Sequence, residues 1–121
     1  MGPTVLIVDD EENVRRVLQR ILERAGYTVV VAQSGPEAIK LYRERGGAVD
    51  LVVLDVIMPR MGGQEVFRHL QEVDPGVKVL LSSGYSENGQ AAEVLAEGAR
   101  GFLQKPYDVE TVLRRVRETL A

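Results

Sequence analysis

Val5-Leu6-Ile7-Val8 runs straight into Asp9 and Asp10, and the same design returns three times along the chain. Leu51-Val52-Val53-Leu54 runs into Asp55. Val77-Lys78-Val79-Leu80-Leu81 runs into Ser82 and Ser83. Gly101-Phe102-Leu103-Gln104 runs into Lys105, with Pro106 behind it. Short apolar runs bounded by polar residues read as buried strands. If these strands lie parallel in one sheet, three carboxylates, a hydroxyl and an ammonium meet at its carboxyl edge. That edge is where open parallel sheets place their ligands.

The stretches between these runs read as helices. Val14, Val17, Leu18, Ile21, Leu22 and Ala25 recur at helical spacing, and Gly26 ends the pattern. The β-branched run 28–32 is a further strand. Ser34-Gly35-Pro36-Glu37 has the form of a capping box and opens a second helix that stops at Gly46-Gly47. Met58-Pro59-Arg60-Met61-Gly62-Gly63 is a loop. Val66, Phe67, Leu70 and Val73 mark a third helix. A fourth, over about 88–97, has a thin apolar face made mostly of alanine. The last strand sits near 100–103, and Asp108 caps a fifth helix carrying Val109, Val112, Leu113, Val116 and Leu120.

Strands alternating with helices give parallel pairing with helices on both faces. Right-handed crossovers leave few topologies. The expectation is an α/β fold: a doubly wound, flavodoxin-like, five-stranded parallel sheet of order 2-1-3-4-5 with five helices. In that order the first and third strands are neighbours, which brings Asp9, Asp10 and Asp55 together.

The chain has 121 residues, 45% of them hydrophobic, with no cysteine and no tryptophan. One domain over residues 1–121 is the expected organisation. Disulfides and thiolate metal sites are excluded. A net charge of −3 argues against a dedicated nucleic-acid surface. No apolar run approaches the roughly 18–20 residues of a membrane span, and residues 1–4 lack the features of a signal peptide. A cytoplasmic domain with no membrane contact is expected.

Three carboxylates within about 5 Å repel by about 3 kcal/mol per pair at an effective dielectric near 20, so the site calls for a cation or a proton. An all-oxygen donor set selects a hard ion, Mg²⁺ or Mn²⁺. A metal, a lysine and a hydroxyl around one carboxylate are the equipment for phosphoryl transfer to that carboxylate. Asp55 stands alone at its strand end and is the natural nucleophile.

In these motifs the chain resembles the receiver domains of bacterial two-component response regulators. The motifs are Val8-Asp9-Asp10-Glu11, Leu54-Asp55 with Met58-Pro59 and Gly62, Ser83-Gly84 and Lys105-Pro106, in this order over essentially the whole length. The resemblance implies a phosphoacceptor signalling switch rather than a turnover enzyme. It makes Asp55 the phosphoacceptor, and Asp9, Asp10, Asp55 and the backbone carbonyl of Ile57 the Mg²⁺ ligands. It makes Ser83 the switch hydroxyl, Lys105 its cationic partner and Phe102 the aromatic that moves inward with Ser83. It implies a cis bond at Lys105–Pro106, and a histidine kinase or phosphotransfer domain as phosphoryl donor. The face of the fourth helix, fifth strand and fifth helix becomes the output surface and a possible homodimer interface. Ile57 and Tyr85 stand where the family tunes the lifetime of the aspartyl phosphate, and an apolar Ile57 points to slow self-dephosphorylation. Residues 82–86 with 101–107 are most similar to receivers attached to hybrid sensor histidine kinases.

The alternative is a phosphatase or phosphotransferase with a strand-end Asp nucleophile. That class needs a second Asp two residues on, where this chain has Ile57. An FMN carrier on the same topology is opposed by the acidic loop after the first strand, which repels phosphate.

Overall fold

Burial on both faces is what turns the apolar runs into strands. The structure, a computed structural model, describes residues 2–84 and 89–121. Five strands form one parallel sheet in the order β2-β1-β3-β4-β5. They are β1 (Thr4–Val8), β2 (Thr28–Ala32), β3 (Leu51–Asp55), β4 (Val79–Ser83) and β5 (Gly101–Gln104). Between and after them run α1 (Glu12–Arg24), α2 (Gly35–Arg45), α3 (Gly63–Val73), α4 (Gln90–Ala96) and α5 (Val109–Leu120). The fold class and strand order are those expected from the sequence.

Alternation divides the core in two. Val5, Ile7, Leu51, Val53, Leu80 and Leu103 meet α1 and α5 through Leu18, Leu22, Val112 and Val116. Leu6, Val8, Val52, Leu54, Val79, Leu81 and Phe102 meet α2, α3 and α4 on the other side. Most of these side chains are 0–1% exposed.

The helix ends follow their sequence signals. Ser34 Oγ accepts from Glu37 N–H, while Glu37 Oε1 accepts from Gln33 N–H rather than from the cap residue itself. Asp108 Oδ2 accepts from both the N–H and the hydroxyl of Thr111. Gly26 at φ +98° carries the chain out of α1 into a left-handed conformation open to glycine.

Two boundaries and one buried stripe differ from the sequence reading. The fourth strand is β4, Val79–Ser83, not 77–81, because Ser82 pairs with Asp55 and Ser83 with Gln104. The two serines are strand residues rather than loop residues. The fourth helix is only seven residues long, with Ala91 and Val94 buried, and residue 88 lies outside the described residues. In α1 the buried row is Arg15, Leu18 and Leu22, whereas Val17 is 50% exposed. Leu18 and Leu22 belong to both stripes, but the buried row runs through Arg15 in place of Val17, since a charged residue holds a core position. Among the described residues no helix is long and apolar enough to cross a membrane.

Candidate functional site

The sheet's carboxyl edge gathers the polar strand ends. Asp9 follows β1, Asp55 is the last residue of β3, and Lys105 follows β5. By the period-2 rule Asp9, Asp55, Ser82 and Lys105 continue the rows that face α1 and α5, and Ser83 continues the opposite row. Carboxylate oxygens of Asp9, Asp10 and Asp55 all lie within 4.8 Å of one another. Asp9 and Asp55 are 2% and 4% exposed, and Asp10 is open to solvent. Lys105 Nζ is 2.9 Å from Asp9 Oδ2 and 3.5 Å from Asp55 Oδ2.

Backbone groups orient the carboxylates. Glu11 N–H donates to Asp9 Oδ1 at 2.9 Å, and Ile57 N–H donates to Asp55 Oδ1 at 3.3 Å. Among the described residues Asp9 Oδ2 is fully buried with no hydrogen-bond donor assigned to it, and the Lys105 ammonium faces it as an ion-pair partner. A buried carboxylate oxygen in that state is an available ligand. With three oxygen donors, one wet side and no nitrogen or sulfur, the donor set fits Mg²⁺.

Electrostatics at the edge are opposed. Burial, followed by the Asp9 charge, pushes the Asp55 carboxyl up to about 7, against the pull of Lys105 and the Ile57 N–H. Desolvation works against the Lys105 ammonium, but Asp9 and Asp55 outweigh it and its pKa is raised. Without a bound cation the site therefore holds its carboxylates under strain that one lysine only partly relieves.

The other residues singled out in the sequence frame this cluster. Ser83 is 3% exposed, and its carbonyl accepts from Lys105 N–H at 2.9 Å, which fixes the start of the lysine segment against β4. Phe102 is 6% exposed, already inside the core shared with α3 and α4. The Ile57 side chain is 51% exposed at the rim. The Lys105–Pro106 bond is cis. Tyr85 lies outside the described residues.

Three features escaped the sequence reading. Tyr107 OH and Ser82 Oγ are hydrogen-bonded at 2.5 Å, so the first of the two serines is engaged beneath the site. Arg15, 8% exposed, donates from Nη1 to the Asp9 backbone carbonyl at 2.9 Å. Its spacing from Leu18 and Leu22 is the signal that would have placed it on the buried face. Of the two adjacent glycines, Gly63 rather than Gly62 is sterically required. A Cβ there would lie 2.7 Å from the Asp55 carbonyl oxygen and from Val56 Cα. This close approach seats the start of α3 directly under the strand end that carries Asp55.

Known proteins share this sequence pattern and fold. Residues 5–117 match the response regulator receiver domain family, and the chain belongs to that family. It is 43% identical over 117 residues to the sensor kinase CckA of Brucella abortus, covering 97% of this chain and 12% of the kinase. It is 33% identical over 119 residues to the chemotaxis protein CheY of Thermotoga maritima, covering 98% of both. The structure superposes with a TM-score of 0.94 on the CheX–CheY–BeF₃–Mg²⁺ complex from Borrelia burgdorferi, at 30% identity over 100% of this chain and 91% of that one. The chain thus spans a small part of one relative and nearly all of another. It is a CheY-like receiver, a class of signalling switch with a phosphoacceptor site.

Proposed function

We propose that this receiver takes a phosphoryl group onto Asp55 from the phosphohistidine of a histidine kinase or phosphotransfer domain, with Mg²⁺ held by Asp9, Asp10, Asp55 and the Ile57 carbonyl. The observation that carries the reading is the convergence of three carboxylates within 4.8 Å beside Lys105. An Asp55 carboxylate oxygen attacks phosphorus, the P–N bond to histidine breaks, and an acyl phosphate forms. Held by those residues, Mg²⁺ would supply charge neutralisation for the phosphoryl oxygens. Lys105 faces the same oxygens from the β5 side and, once they carry charge, exchanges part of its hold on Asp9 for them. Asp9 is kept in place by the Glu11 N–H while that exchange occurs.

Ser83 is the candidate for the switch hydroxyl on the family resemblance, and its neighbour Ser82 is bonded to Tyr107. Phe102 shares one core with Ala91 and Val94 of α4. With only Ala91 and Val94 buried, α4 has little apolar area holding it, at about 25 cal/mol per Å², and is the element a phosphoryl group can most readily shift. The face of α4, β5 and α5 is then the output surface, open to a second copy of the chain or another protein. The magnesium and beryllofluoride in the relative's complex and the identity to a sensor kinase support a phosphorylated module on the cytoplasmic side.

Incubation with MgCl₂ and acetyl phosphate, read by intact mass, tests the reading. A gain of one phosphoryl that disappears in Asp55→Asn is expected. An unmodified chain, or a gain that survives the substitution, refutes it. The phosphatase alternative predicts free phosphate release without an accumulating adduct.

A further inference from the structure

We infer that Arg15 is a positioning residue for the magnesium site, locking the turn that carries Asp9 and Asp10. This rests on the reading of those carboxylates as metal ligands. Arg15 sits one and two turns before Leu18 and Leu22 on the buried face of α1, where an apolar residue is the ordinary occupant. Its side chain's one hydrogen bond among the described residues runs from Nη1 to the carbonyl of Asp9. No carboxylate is paired with it there.

The sheet explains why that carbonyl needs a donor. Asp9 N–H still donates to Ala32 O, the last rung between β1 and β2. In a continuing parallel ladder the Asp9 carbonyl would next meet the N–H of residue 34. But β2 ends at Ala32, and Ser34 turns away to cap α2. A buried carbonyl is left at the point where the strands part, and Arg15 supplies the missing rung. A charged donor makes a stronger bond than the amide it replaces. The main chain of Asp9 is thereby tied to β2 through its N–H and to α1 through its carbonyl. Its side chain is tied to Glu11 N–H. With these three ties the carboxylate has one position, and Asp10 follows from it.

The sign of the effect separates this role from simple electrostatics. Arg15 is a cation beside a cation site, so removing its charge favours Mg²⁺ if the charge alone matters. If it positions Asp9, removing it weakens Mg²⁺ binding. Partners that orient metal ligands typically contribute about 10- to 100-fold in affinity.

Calorimetric titration of MgCl₂ into the whole chain decides between them, using Arg15→Met, which keeps the packing of the helix face, and Arg15→Lys, which keeps the charge and a donor. We expect binding about 10-fold weaker in Arg15→Met, with Arg15→Lys between it and the parent. Unchanged or tighter binding in folded Arg15→Met overturns the inference and leaves the metal site standing. Absence of Mg²⁺ binding by the parent overturns the metal site itself, and this inference with it. If Arg15→Met does not fold, the parent's Arg15 Nε resonance serves instead. It should shift with the same Mg²⁺ midpoint as the Asp9 and Asp10 amides, and a resonance indifferent to Mg²⁺ overturns the role.

Discussion

Asp55→Asn in metal-free protein turns the opposed electrostatics of the pocket into a measurable stability. Asp55 sits at about 7 in the folded chain, against an ordinary value of 3.8. Below the ordinary value both states are protonated and burial carries no penalty. As pH rises from there the unfolded chain gives up the proton while the folded chain keeps it. Stability is therefore lost through this window and levels off above the folded value. The full gap corresponds to about 2 to 4 kcal/mol at pH 8, allowing for relaxation around the buried charge. Asparagine escapes the penalty because it carries no charge. At about 4 °C per kcal/mol for a chain of this size, Tm in EDTA should rise by roughly 8–16 °C at pH 8 and by less than half of that near pH 5. Far-ultraviolet circular dichroism follows the unfolding of the helices. Mg²⁺ should raise the parent by mass action more than the variant, narrowing the gap. A gain of equal size at both pH values, or a loss at pH 8, would refute the account of how Asp55 is held.

Three further outcomes follow from individual contacts. Ile57→Asn, at an exposed rim position beside Asp55, should shorten the acyl-phosphate half-life by about 10-fold by giving an attacking water a hydrogen-bonding partner. An equal or longer half-life by intact mass contradicts that. Gly63→Ala should destabilise by about 1–3 kcal/mol, because the obstructing atoms of Asp55 and Val56 are all backbone and cannot swing aside. Gly62→Ala, whose nearest obstacle is 3.7 Å away, should stay within about 0.5 kcal/mol in urea unfolding. Tyr107→Phe should cost about 1–3 kcal/mol by leaving the Ser82 hydroxyl buried without its partner, and adding Ser82→Ala should return part of the loss.

The strand ends were legible because the sequence marks them twice, by apolar runs and by the polar residue that stops each run. Asp9, Asp10, Asp55 and Lys105 meet at one edge for that reason, and strand order follows from the βα alternation. What escaped notice depended on contacts between segments far apart in the chain. Serine favours turns, so Ser82 and Ser83 read as a strand's exit, but pairing with Asp55 and Gln104 keeps them extended. Val77 is buried without being part of the strand, which made the run look two residues too early. A helix stripe counted in apolar residues passes over Arg15, whose long side chain reaches a carbonyl that only the divergence of β1 and β2 exposes. Nothing local distinguishes Gly62 from Gly63, since the difference lies in how closely α3 approaches β3.

Asp9, Asp55 and Lys105 reach one another across almost the entire length of the polypeptide. The carboxylates meet only when β1 has paired with β3, and Lys105 joins them only when β5 has joined β4. An ion held by the assembled carboxylates would have no hold on a transition state in which β1 and β3 have not yet paired. Magnesium should accordingly leave the refolding limb of the kinetics nearly untouched and slow the unfolding limb, making the loaded domain longer-lived rather than quicker to form.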